Sequence, residues 1–135
     1  MKQILISFLA ALLVGSCATT SPKTQMTFMD IKAFDTDLSA SMSASTDPIT
    51  VAVTGGITVN NMPERLGNWL SVVDIELNPK TKSLAWAQLF EGLLEISEWL
   101  KEKLLYGQAG KYNATVFHDP ETGKIHKVVF SRKDK

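Results

Sequence analysis

The chain has 135 residues, 44% of them hydrophobic, and its 14 basic and 14 acidic side chains leave no net charge. That is the size of one small domain with a core of its own, and the charge balance argues against a nucleic-acid partner. The lone cysteine excludes a disulfide within the chain, so packing must hold the fold.

From the N-terminus, Lys2 supplies a positive start. Ile4 to Val14 is an apolar run broken only by Ser7, and Gly15 and Ser16 are small. This is the layout of a secretory signal, and the run is too short for an ordinary membrane span. Val14-Gly15-Ser16-Cys17 resembles the lipobox of bacterial lipoprotein precursors: an aliphatic residue, two small ones, then cysteine. The resemblance is confined to residues 1–17. It implies cleavage between Ser16 and Cys17, a thioether-linked diacylglycerol on Cys17, and a further acyl chain, such as palmitate, on the new amino group. A thiol suits the first step because its thiolate is the better nucleophile. Several chains suit the second, since one chain anchors marginally at about 0.8 kcal/mol per buried CH₂. In that family Asp after the cysteine favours the inner membrane. Ala18 stands here, which favours the outer membrane, with the periplasmic face favoured over the cell surface. The covalent lipid is the only non-protein group implied.

Beyond the signal (1–16), residues 17–33 read as the lipidated cysteine and a flexible tether, because Ala18 to about Thr27 is polar and has no apolar period. Met26, Phe28, Met29 and Ile31 can dock as a short strand or helical turn. Residues 34–135 then form the domain.

"FDTDLSASMSAS", Phe34 to Ser45, alternates strictly. Phe34, Thr36, Leu38, Ala40, Met42 and Ala44 share one side, which predicts a strand with one wet face. A turn over Ser45–Pro48 leads into Ile49, Val51 and Val53, predicting a hairpin with Ala44 opposite Ile49 and Met42 opposite Val51. Gly55-Gly56 permits a turn, after which Ile57 and Val59 resume the alternation. In "NNMPERLGNWLSVVD", Asn61 is a candidate cap with Glu64 three positions on, and Leu66, Trp69, Leu70 and Val73 make a helical stripe. "DIELNP" reads as a short strand.

The longest predicted helix runs from Leu84 to Tyr106, capped by Ser83 or Thr81 and stopped by Gly107. Glu91, Glu95, Glu98 and Glu102 line one face, which reads as solvated. The chain ends in a hairpin around Asp119-Pro120 and Gly123. Pairing His118 with Lys124 puts Tyr112, Ala114, Val116, Val128 and Phe130 on one apolar face, with Phe117, Ile125 and Val129 on the other.

The predicted fold class is α+β: a mostly antiparallel sheet of about five strands with two helices packed on one face, in the order β-β-α-β-α-β-β. Residues 18–100 carry 5 basic and 10 acidic side chains, whereas residues 101–135 carry 8 and 4, so the domain ends in a short basic tail.

No catalytic constellation is visible. His118 and His126 share a face in the predicted register, but a structural zinc usually takes four ligands. Trp69 and Trp86 lie on core arcs, and Trp99 borders the glutamate stripe. The residues therefore point to a membrane-anchored binding or assembly module without enzymatic activity. Its partner would be an envelope protein or a glycan. Its candidate surface is Trp99, Phe117, His118, Ile125, His126 and Val129. A small hydrolase or metal-binding protein using His118 and His126 is one alternative. An envelope-complex subunit docking through the C-terminal hairpin is another.

Overall fold

Two strand–helix–strand units flank one central strand. The computed structural model describes residues 22–101 and 104–134. In chain order these give β1 (Gln25–Thr27), α1 (Lys32–Ser43), β2 (Ile49–Ala52), α2 (Glu64–Ser71), β3 (Asp74–Asn78), α3 (Leu84–Lys101), β4 (Tyr112–His118) and β5 (Ile125–Arg132). The strands form one sheet in the order β1-β2-β5-β4-β3. β1 runs parallel to β2 and β3 parallel to β4, while β5 is antiparallel to both its neighbours. The α+β class stands. The sheet, however, is mixed rather than mostly antiparallel, and the described residues form three α-helices where two were expected. A parallel pair needs a long crossover, and the extra helix supplies one of them.

That extra helix is α1. Phe34 to Ser45 is not a strand, and the predicted hairpin with Ile49–Val53 does not form. Phe34, Leu38 and Met42 recur every fourth residue and all three are buried, the stripe of one helix face. Thr36 and Ala44, on the same side of the alternating pattern, are exposed. Small Ala and Ser residues at alternate positions produced a period-two pattern with no burial behind it.

The helix stops in a Schellman arrangement. The Ser45 amide donates to the Met42 carbonyl at 3.0 Å and the Thr46 amide to that of Ser41 at 3.1 Å. Ser45 takes the left-handed conformation, φ 61°, that this cap requires. β1 falls inside the segment expected to be tether, so the sheet begins before the expected boundary at Phe34. Phe28, just after β1, packs edge-on against Phe34 with ring centroids 4.9 Å apart.

Other elements match the sequence more closely. Leu66, Trp69 and Leu70 of α2 are buried, with Val73 just beyond. Asn61 does not cap this helix. Its side chain instead accepts from the Thr58 amide at 2.6 Å, closing a turn. Ser83 does cap α3, accepting from the Trp86 amide at 3.4 Å. That helix ends at Lys101, and Leu104–Tyr106 is a separate 3₁₀ turn.

All three helices cover one face of the sheet. Ile49, Val51, Leu77, Tyr112, Ala114, Val116, Val128 and Phe130 point into that side and join a single core. On the opposite face, Thr50, Ala52, Thr115, Phe117 and Val129 are only partly covered, and Asp74, Glu76, Asn113 and Lys127 are exposed.

Candidate functional site

Chemistry concentrates in two buried polar clusters and one open groove. The first cluster ties α1 to α2. Asp35 is 5% exposed. One carboxylate oxygen accepts from Trp69 Nε1 at 2.8 Å, the other from Arg65 Nη1 at 2.6 Å. Arg65 Nε also lies 3.2 Å from Asp30 Oδ1, an ion pair without a hydrogen bond. The bond to Asp35 raises the Arg65 guanidinium above its ordinary value. Trp69 meets Tyr106 edge-on at 4.6 Å. Burial, and after it the negative charge of Asp35, pushes the Tyr106 phenol up. A buried carboxylate must be paired or hydrogen-bonded, and this one is both. Asp35 bonded to both Arg65 and Trp69 makes the cluster a clasp between helices.

The second cluster surrounds His118, at the end of β4. His118 is 4% exposed, and its ring lies against Trp86 at 4.9 Å. Nε2 is 2.9 Å from the Pro79 carbonyl oxygen and Nδ1 is 3.1 Å from that of Asp119. Both ring nitrogens thus face backbone carbonyl oxygens in this structure.

His126 does not join it. The pairing of β4 with β5 runs Tyr112 to Arg132, Ala114 to Phe130 and Val116 to Val128. Phe117 keeps that register opposite Lys127, and the register then shifts, so that His118 faces Ile125. His126 is the extra residue of that bulge, and it is exposed. Val116 was expected opposite His126, Ala114 opposite Val128 and Tyr112 opposite Phe130. The true register differs by two residues. A two-residue slip keeps every side chain on its face, so the predicted apolar set survived the error. Ile125 did not: the bulge turns it inward and it is fully buried, so it cannot belong to an outer surface.

The hairpin tip is well defined. Asp119 Oδ1 accepts from the amides of Glu121 at 2.8 Å and Thr122 at 3.1 Å. Those two bonds, Thr122 first, hold the Asp119 carboxyl below its usual range. Gly123 has φ +74°, and a Cβ there would lie 2.9 Å from Val59 Cγ1.

Of the remaining candidate residues, Phe117 and Val129 lie on the open face of the sheet. Lys127 Nζ sits 4.6 Å above the Phe117 ring, which leaves that apolar patch partly covered by a cation. Trp99 lies in α3, in a stretch where only the backbone is described. Cys17, Ser16 and the rest of the lipobox lie outside the described residues. Among the described residues no group of three His, Cys, Asp or Glu side chains could hold a metal ion, and no helix is long and apolar enough to cross a membrane.

The groove was not foreseen. It runs beside β3, the edge strand that pairs only with β4. Ile75, Phe90, Leu93 and Leu94 line about 310 Å³ of it, with Leu70 and Val73 behind. Towards the C-terminal end of β3 it continues past Lys80, Thr81 and Lys82. Leu94 is 73% exposed. The sequence signal was present: Leu93 and Leu94 are adjacent, and a helix cannot turn both fully into the same core.

No protein-family model, no curated protein and no solved structure matches this chain.

Proposed function

We propose that this chain is a bacterial envelope lipoprotein. Signal cleavage leaves Cys17 at the N-terminus carrying diacylglycerol, and the α+β domain acts as a non-enzymatic binding or assembly module, held at the outer membrane on its periplasmic side. The observation that carries this reading is Val14-Gly15-Ser16-Cys17, placed at the end of an apolar run and holding the only cysteine of the chain. The engagement of His118 with two carbonyls and of Asp35 with Arg65 and Trp69 supports a binding role over catalysis, because both buried polar groups act as fasteners. The partner is an envelope protein or a glycan.

Intact mass of the protein from membrane fractions tests the anchor. We expect a chain beginning at residue 17 with an added diacylglycerol mass, and a Cys17→Ser form that lacks it and leaves the membrane. A soluble, unmodified product of the native sequence would overturn the reading.

A further inference from the structure

The fold dictates which end of the domain meets the bilayer. Lys23 is already fixed to the domain. Its amide donates to Ser41 Oγ at 2.9 Å and its ammonium pairs with Asp37 at 2.9 Å. The next residue is fixed as well, since the Thr24 carbonyl accepts from the Thr50 amide at 2.8 Å. Lys23 is six positions beyond Cys17. Even fully extended, those positions span only about 20 Å. A lipid on Cys17 therefore holds the edge of the sheet close to the headgroups, where a longer tether would let the domain tumble.

Topology then names the rest of that edge. β1, β2, β3 and β4 all run in one direction, with β5 opposed, so the start of β1 lies at the same end as the starts of β2, β3 and β4 and the finish of β5. The pairing of Asp74 with Asn113, and of Asn113 with Ser131, continues this end across the sheet. Lys111, Arg132 and Lys133 stand here, and the Lys133 amide donates to the Lys111 carbonyl at 2.9 Å. The opposite end carries the Gly55-Gly56 turn, the Pro79–Ser83 loop and the Asp119–Gly123 turn. β5 alone, from Arg132 back to Ile125, separates the two ends by about 25 Å.

We propose that the Lys111–Arg132–Lys133 end of the sheet is the membrane-facing surface and that the lipid headgroup layer is what it lies against. The loops around Gly55, Lys80 and Glu121 are thereby presented away from the membrane. This rests on lipid attachment at Cys17. Charge is a minor contributor, because Arg132 pairs with Asp134 at 2.6 Å and Lys133 with Asp74 at 2.8 Å. The covalent tether sets the orientation, and added salt leaves it unchanged.

The test uses the full chain, processed in cells and reconstituted into vesicles of phosphatidylethanolamine and phosphatidylglycerol containing brominated lipid. With Cys17 occupied by its lipid, a single new thiol can be labelled with a fluorophore, either Lys111→Cys or Glu121→Cys; both positions are exposed. We expect the label at 111 to be quenched several-fold more than the label at 121, at low and at high salt alike. Equal quenching, or stronger quenching at 121, overturns the orientation. Intact mass of each sample reports the anchor separately. A protein carrying the lipid but quenched equally at both positions refutes the orientation alone, whereas a protein without the lipid refutes the anchor and with it the orientation.

Discussion

The two strand–helix–strand units are built to the same plan and held to the core in different ways. In β1-α1-β2 the helix is short and closed in. Phe34, Leu38 and Met42 are buried, and Asp35 adds charge-assisted bonds to Arg65 and Trp69. In β3-α3-β4 the helix is longer and more open. Trp86 and Leu93 are buried, but Phe90 lines the groove and Leu84 and Leu94 are 71% and 73% exposed. Length therefore does not measure how firmly a helix is held. A side chain contributes according to the apolar surface it removes from water, and among the described side chains of α3 only Trp86 and Leu93 are buried.

The sharpest way to break this comparison is a matched pair of truncations. Leu38→Ala is expected to cost about 2–5 kcal/mol, as a fully enclosed leucine does, while Leu94→Ala stays within about 0.5 kcal/mol. Urea midpoints measure both, and equal losses would mean that α3 is as enclosed as α1. Next comes the clasp. Asp35→Ala leaves the buried Trp69 indole without an acceptor, at about 1–3 kcal/mol, and should speed amide exchange in α1 and α2 before the rest of the domain.

A smaller effect has the opposite sign. Ser45→Gly relieves a left-handed residue after α1, and we expect about 1 kcal/mol of added stability in thermal melts. A loss of stability there would show that Ser45 makes contacts worth more than its strain.

The smallest effect is local, in the other half, at the tip after β4. The Asp119 carboxyl is held low by two backbone amides, so its contribution is present above the unfolded aspartate value and is lost as pH falls through the lower folded value. Hydrogen exchange at Glu121 and Thr122 should therefore accelerate below about pH 4, the unfolded aspartate range, and an Asp119→Ala form should show no such step.

Legibility followed the strength of the apolar pattern. α2 was readable because Leu66, Trp69, Leu70 and Val73 are large and evenly spaced. The final hairpin was readable because its faces survive a two-residue slip. α1 was misread because its Ala and Ser residues fit either period, and only Phe34, Leu38 and Met42 carry the true one. The bulge at His126 left no trace in the local sequence, and with it went both the inward turn of Ile125 and the expected histidine pair. The Asp35–Arg65 clasp was equally hidden, since its members lie thirty positions apart.

The sequence by itself determined the size of the domain, its dependence on packing, most of its core and the α+β class, because these follow from composition and from side chains that must leave water wherever they sit. It also carries Val14-Gly15-Ser16-Cys17, the few adjacent residues on which the proposed lipid anchor rests. Tertiary structure decided the direction of the strands, the burial of His118, the groove beside β3 and the end of the sheet from which the chain departs towards Cys17. Each of these depends on which distant segments meet, and that is settled by the whole core being filled at once.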